Sequence, residues 1–221
     1  MKILKKIGIL LSAIAIAGVL IVAIAIISLK ARTEKLSDDY SSLYTDEAYS
    51  EAIFIDGIDV IKQDISCGYA VIEMFSTKVG KNITEESLYD TYGKVVTSTG
   101  KSFEREMNRQ FPEYKTTMYK YQTDSELIKR AYMSLKNGIP VPFEWAARYD
   151  DTWTLHYSLL IGMDIPGDKV TVLNPYGYTE ELKLNDFLRR TSYDAYEDLP
   201  LFLEMGFAFG FFEKNTIFIA E

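Results

Sequence analysis

One thiol and one imidazole, those of Cys67 and His156, set the nucleophilic chemistry open to this sequence. The reactive form of a cysteine is the thiolate. A free thiol titrates near ~8.5, and a helix amino terminus together with an imidazolium brings it down to roughly 3.5 to 7.5. Cys67 has the first of these features, because residues 67–75 keep apolar side chains at helical spacing and the thiol stands where that helix begins. His156 would supply the second. It lies in an apolar run, residues 154–162, that reads as a strand, where a polar ring needs a reason to be present. Asn174 follows 18 residues later, just before Pro175. A hairpin turning at Pro166-Gly167-Asp168 would bring this amide beside the ring and fix its tautomer. Gln63, four residues before Cys67, has an amide able to donate to an oxyanion alongside the Cys67 backbone N–H.

Each residue also has an ordinary structural explanation. A lone Cys commonly behaves as a small buried hydrophobe, a lone His in a strand as a satisfied core residue, and Asn-Pro as a turn. Residue type and spacing leave both readings open.

The elements that must hold these groups are legible as a change of texture along the chain. Helices are expected over residues 67–79, over 85–92 with Thr84 as cap and Gly93 as stop, and over 103–110 ahead of Pro112. Thr123-Asp124-Ser125-Glu126 is a capping box, opening a helix that closes at Asn137-Gly138. Strands are expected beyond it at residues 139–145, 153–163, 170–173 and 179–184. A short helix should start at Asp186, and a last strand pair should lie near 207–212 and 216–220. Helices first and strands second predict an α+β domain with a mostly antiparallel sheet.

Residues 7–29 form 23 uncharged positions dominated by Ile, Leu, Ala and Val. As a helix this run would extend roughly 35 Å, enough for a hydrocarbon core of about 30 Å. An uncleaved anchor is favoured over a cleaved signal peptide, whose apolar region is usually about 7 to 15 residues and ends at a small-x-small site. Ser28-Leu29-Lys30-Ala31 matches that site poorly. Lysines precede the span and Lys30, Arg32 and Lys35 follow it, so flanking charge decides little. The six-residue amino end is expected in the cytoplasm and the domain outside, or secreted if the segment is cleaved. The expected division is residues 1–6, a span at 7–29, a polar juxtamembrane spacer at 30–51 and the domain at 52–221.

Net charge is −8, from 24 Lys and Arg against 32 Asp and Glu, with no basic stripe for a phosphate backbone. No nucleic-acid partner is expected. A zinc site of clustered Cys and His is excluded by ligand count, as is an internal disulfide, and no cofactor or metal is expected. Thr99-Gly100-Lys101-Ser102 imitates the end of a phosphate loop, but Gly93 is too far from Gly100 and a helix precedes it instead of a strand. Asp150-Asp151, Asp164 and Asp168 do not follow calcium-loop spacing and read as turn residues.

Four stretches then follow the order and local style of a known family: Gln63-Asp64-Ile65-Ser66-Cys67-Gly68-Tyr69-Ala70, Gly138-Ile139-Pro140-Val141-Pro142, Leu155-His156-Tyr157-Ser158-Leu159-Leu160-Ile161-Gly162-Met163-Asp164 and Val170-Thr171-Val172-Leu173-Asn174-Pro175-Tyr176-Gly177. Over residues 52–220 the sequence resembles the papain-like cysteine peptidases related to the double-glycine leader peptidases that mature bacteriocins, in a stand-alone bacterial form. The resemblance implies a papain-like fold, Cys67 as nucleophile, His156 as base and then acid, Asn174 as the group orienting the ring, and Gln63 as oxyanion donor. Many members have Asp at the Asn174 position. The expected partner is a peptide or protein substrate at a membrane. The alternatives are a cell-wall amidase or transpeptidase of the same architecture, and a papain-like surface module that binds without catalysis.

Overall fold

The structure is a computed structural model that describes residues 2–33, 36–93, 97–149, 152–194 and 199–221. Its first element, α1 (Lys2–Thr33), contains a 25-residue stretch, Lys6–Lys30, of mean hydropathy 3.0. By length and composition that stretch is enough to cross a bilayer. After α1 come β1 (Ile53–Phe54), α2 (Cys67–Lys78), α3 (Glu85–Tyr92), α4 (Gly100–Gln110), β2 (Thr116–Tyr119) and α5 (Asp124–Lys136). The strand-rich half follows as β3 (Val141–Tyr149), β4 (Thr152–Asp164), β5 (Lys169–Asn174) and β6 (Tyr178–Leu182). It closes with α6 (Leu184–Thr191), α7 (Leu201–Ala208) and β7 (Thr216–Ala220).

The strands form one sheet in the order β2-β7-β3-β4-β5-β6, with β1 pairing the far end of β4, and every described pairing is antiparallel. Alternation along a strand sends neighbouring side chains to opposite faces. On one face Tyr157 of β4 stacks on Phe103 of α4 at 4.5 Å, and Phe103 meets Phe218 of β7 at 4.7 Å. On the other, Phe143 and Trp145 of β3 pack against Phe187 of α6 at 5.1 and 6.5 Å. These aromatics are all buried, each contributing about 2 kcal/mol on burial. The result is the expected α+β, papain-like arrangement of helices on an antiparallel sheet.

The polar stretch after α1 is held against the start of α5. Leu36 and Leu43 are buried, the Asp124 N–H donates to the Leu36 carbonyl at 2.7 Å, and the Ser125 N–H donates to the Asp38 carboxylate at 2.8 Å.

Helix starts follow their caps. Thr84, Thr99 and Thr123 each accept from the residue three ahead, and Ser87, Ser102 and Glu126 return the bond. The phosphate-loop look-alike is therefore the capping box of α4, which begins at Gly100 and not at Phe103.

Residues 207–212 were expected as a strand and are not one. Gly206 to Phe212 complete α7 and its stop. Gly210 takes φ 73° and its N–H reaches the Phe207 carbonyl while the Phe211 N–H reaches that of Gly206, a Schellman closure. The Phe-rich run has β propensity, but packing on α1 and against Ala146 of β3 overrides it. The four-residue edge strand β2 was also not expected, because its pairing partner β7 lies about a hundred residues away. Lys35, Asp150 and Asp151 lie outside the described residues.

Candidate active site

Cys67 is the first residue of α2, and the chain leading to it is clamped by a carboxylate. Glu85, 5% exposed, accepts the backbone N–H groups of Asp64 at 2.8 Å, Ile65 at 2.9 Å and also Ser66. Ser66 caps α2, and its hydroxyl pairs with that of Thr97 at 3.0 Å. Gly68 is required by the same packing, since a Cβ there would stand 2.5 Å from the Thr97 side chain. Upstream, the Gln63 N–H donates to the Pro175 carbonyl at 2.8 Å, tying this loop to the end of β5.

His156 lies on β4, 2% exposed, and its ring stacks on Tyr176 with centroids 4.1 Å apart. Its Nε2 meets Asn174 Oδ1 at 3.1 Å. The orientation of that amide is fixed from three sides. Oδ1 also accepts the Tyr176 N–H at 3.0 Å, while Nδ2 donates to the Tyr178 hydroxyl and to a Glu180 carboxylate oxygen, both at 3.3 Å. An oxygen facing the ring requires Nε2 to carry the proton, which leaves Nδ1 with a free lone pair as the basic nitrogen. Glu180 is in turn ion-paired with Arg190, whose guanidinium lies 3.4 Å from the Trp145 ring centroid.

The hairpin thus brings His156 and Asn174 together. The Cys67 thiol rests against the backbone N–H of Tyr157, the residue after His156, and it makes no hydrogen bond with the imidazole. Gln63 and Cys67 line one cleft of about 480 Å³ with Trp153, Leu155, Phe202 and Phe212. Within it, Gln63 Oε1 is buried without a partner.

Electrostatics runs against the expected lowering of the thiol pKa. Burial pushes Cys67 up to about 11, outweighing the N–H groups of Tyr157, Gly68 and Cys67 that favour the thiolate, and nearby Glu144 raises it further. Burial pulls His156 down to about 3, against the Asn174 bond, and Arg190 adds to the lowering. Glu144, opposite Tyr157 in the β3–β4 pairing, is raised by burial to about 8. With these shifts thiol and imidazole are both neutral at pH 7, although the thiol itself is half-buried and borders the cleft.

A family model supplies the decisive comparison, matching residues 55–200, a span that contains Gln63, Cys67, His156 and Asn174. The chain belongs to the Peptidase_C39 like family. No curated protein matches it. Membership in this family points to a cysteine peptidase, with a protein or peptide as substrate.

Glu85, Thr97, Glu180 and Arg190 were not singled out from the sequence. Glu85 reads as an ordinary acid in the first turn of a helix. Glu180 and Arg190 lie ten residues apart on different elements, with no spacing rule to connect them.

Proposed function

We propose that this chain is a membrane-anchored cysteine peptidase in which Cys67, His156, Asn174 and Gln63 do the chemistry. The observation that carries the reading is the 3.1 Å contact of His156 Nε2 with Asn174, made while Cys67 opens a helix against the next residue of the same strand. Nδ1 takes the thiol proton as Sγ bonds to the substrate carbonyl carbon, and the carbonyl electron pair moves to oxygen. The Cys67 backbone N–H and the Gln63 amide stabilise that oxyanion. Its collapse breaks the C–N bond, with His156 handing its proton to the leaving amine. Water, deprotonated by Nδ1, then splits the thioester and restores the thiol.

Because both groups rest neutral, His156 acts as a general base during attack and no ion pair waits before substrate binds. Substrate must bring ring and sulfur into hydrogen-bond reach. Residues 7–29 anchor the enzyme, with residues 1–6 in the cytoplasm and the domain outside; cleavage of that segment would give a secreted form.

The missing Cys67–His156 hydrogen bond and the raised thiol favour one rival, a surface module that binds peptides without cleaving them. Acid-quenched mass spectrometry of the full chain mixed with a degenerate peptide library separates the two. The peptidase reading expects an acyl adduct on Cys67 and new peptide termini; intact peptides and an unmodified thiol would leave the binding module. Release of muropeptides from purified walls, with peptides left intact, would point to an amidase.

A further inference from the structure

The chain from Leu201 to Phe212 reads Leu-Phe-Leu-Glu-Met-Gly-Phe-Ala-Phe-Gly-Phe-Phe, with Glu204 its one charge. One side of α7 is accounted for: Leu203 and Phe207 are buried in a small cluster with Ala146 and Tyr193. The other side is largely uncovered among the described residues. Leu201, Phe202 and Phe211 are 70, 68 and 65% exposed, and Met205 and Phe209 are 43 and 41% exposed. A contiguous apolar surface of this kind on a soluble face is costly and marks a contact with something else.

Its position says what that is. The end of α1 packs on α7, and Val22, Ile26 and Leu29 face Tyr193, Met205 and Phe209 across a cavity of about 630 Å³. A helix that crosses a bilayer through its Lys6–Lys30 stretch therefore carries the bare aromatic patch beside its last two turns. We infer that α7 and the turn after it are a second membrane element, seated in the interface of the bilayer that α1 spans. This goes beyond the peptidase reading and rests on α1 being a membrane span.

The charges that line this cavity, Asp194, Glu204 and Lys214, are of mixed sign, so the contact is apolar and neutral lipid suffices. Phe202, Leu203 and Phe212 also line the Cys67 cleft, which places the mouth of that cleft beside the lipid surface.

The test uses the full chain in phosphatidylcholine nanodiscs, with Cys67→Ser removing the native thiol. Nitroxide labels go at Phe202→Cys, Phe209→Cys or Phe211→Cys, with Ile16→Cys and Tyr178→Cys as lipid and water references. Collision with oxygen against a water-soluble nickel chelate reports lipid contact without reference to activity. The expected result is oxygen-rich, nickel-poor behaviour at positions 209 and 211, approaching that of Ile16 and unchanged by 0.5 M salt (about a 4 Å Debye length), with Tyr178 fully nickel-accessible. Nickel-accessible labels on α7 while Ile16 reports lipid overturn the inference and leave the anchor intact. A water-like Ile16 overturns both. Spin–spin broadening at Phe209 or Phe211 would assign the patch to a second copy of the chain and also overturns it.

Discussion

The two halves of the candidate site are held by different means. Around Cys67 the contacts are to backbone: Glu85 gathers the N–H groups of residues 64–66, and Ser66 caps the helix that the thiol begins. Around His156 they are side chain to side chain, running from the ring through Asn174 and Glu180 to Arg190. A carboxylate that satisfies backbone donors fixes where the chain goes. A relay of side chains fixes which nitrogen carries a proton. Damage to the first half should therefore appear as lost stability, and damage to the second as lost chemistry or altered proton linkage.

The largest expected effect lies in that linkage. The folded pKa of His156, about 3, is below its unfolded value near 6.5, so the unfolded chain takes up the proton first. The stability of the neutral ring is complete above about pH 6.5 and is lost as pH falls towards 3, by up to roughly 4 kcal/mol. Denaturant titrations from pH 7 to 4, followed by the fluorescence of Trp145 and Trp153, should show a loss in wild type relative to His156→Gln that grows as pH falls, set against the opposite drift from Glu144, which the folded chain protonates first. The same acid slope in that variant would assign the loss to other groups.

Next in size is Glu85→Ala. Three backbone donors lose a buried acceptor, at about 3 kcal/mol in the same titration. An unchanged midpoint would mean that the loop is held by the Ser66 cap alone.

Asn174→Ala follows, expected to lower kcat/KM about a hundredfold by freeing the tautomer, while Asn174→Asp stays within about tenfold. Equal losses in both variants would show that the amide acts by packing and not by its acceptor.

Much of this site was legible because it is written locally. The helix opened by Cys67, the caps at Thr84 and Thr123, and the turn at Pro166-Gly167-Asp168 are all short-range signals. The last of these was enough to bring Asn174 to His156. What was missed depends on distance or on surroundings. Glu85 reaches back some twenty residues to its donors, and β2 waits for β7. The α7 run has the composition of a buried strand, and a glycine with φ 73° together with the neighbouring α1 make it a helix. The thiol pKa went the other way because a helix amino terminus is visible in sequence and the packing that desolvates the half-buried Cys67 is not.

The central claim is that Cys67 and His156 act as one unit on a peptide bond. Its most direct measurement is cleavage of a degenerate peptide library by the full chain in nanodiscs, comparing wild type, Cys67→Ala, His156→Ala and the double variant. Residues that act as a unit are non-additive, so each single variant should lose nearly all activity, on the order of a thousandfold, and the double should be no worse. Cleavage that survives Cys67→Ala, or losses that multiply in the double variant, would contradict it.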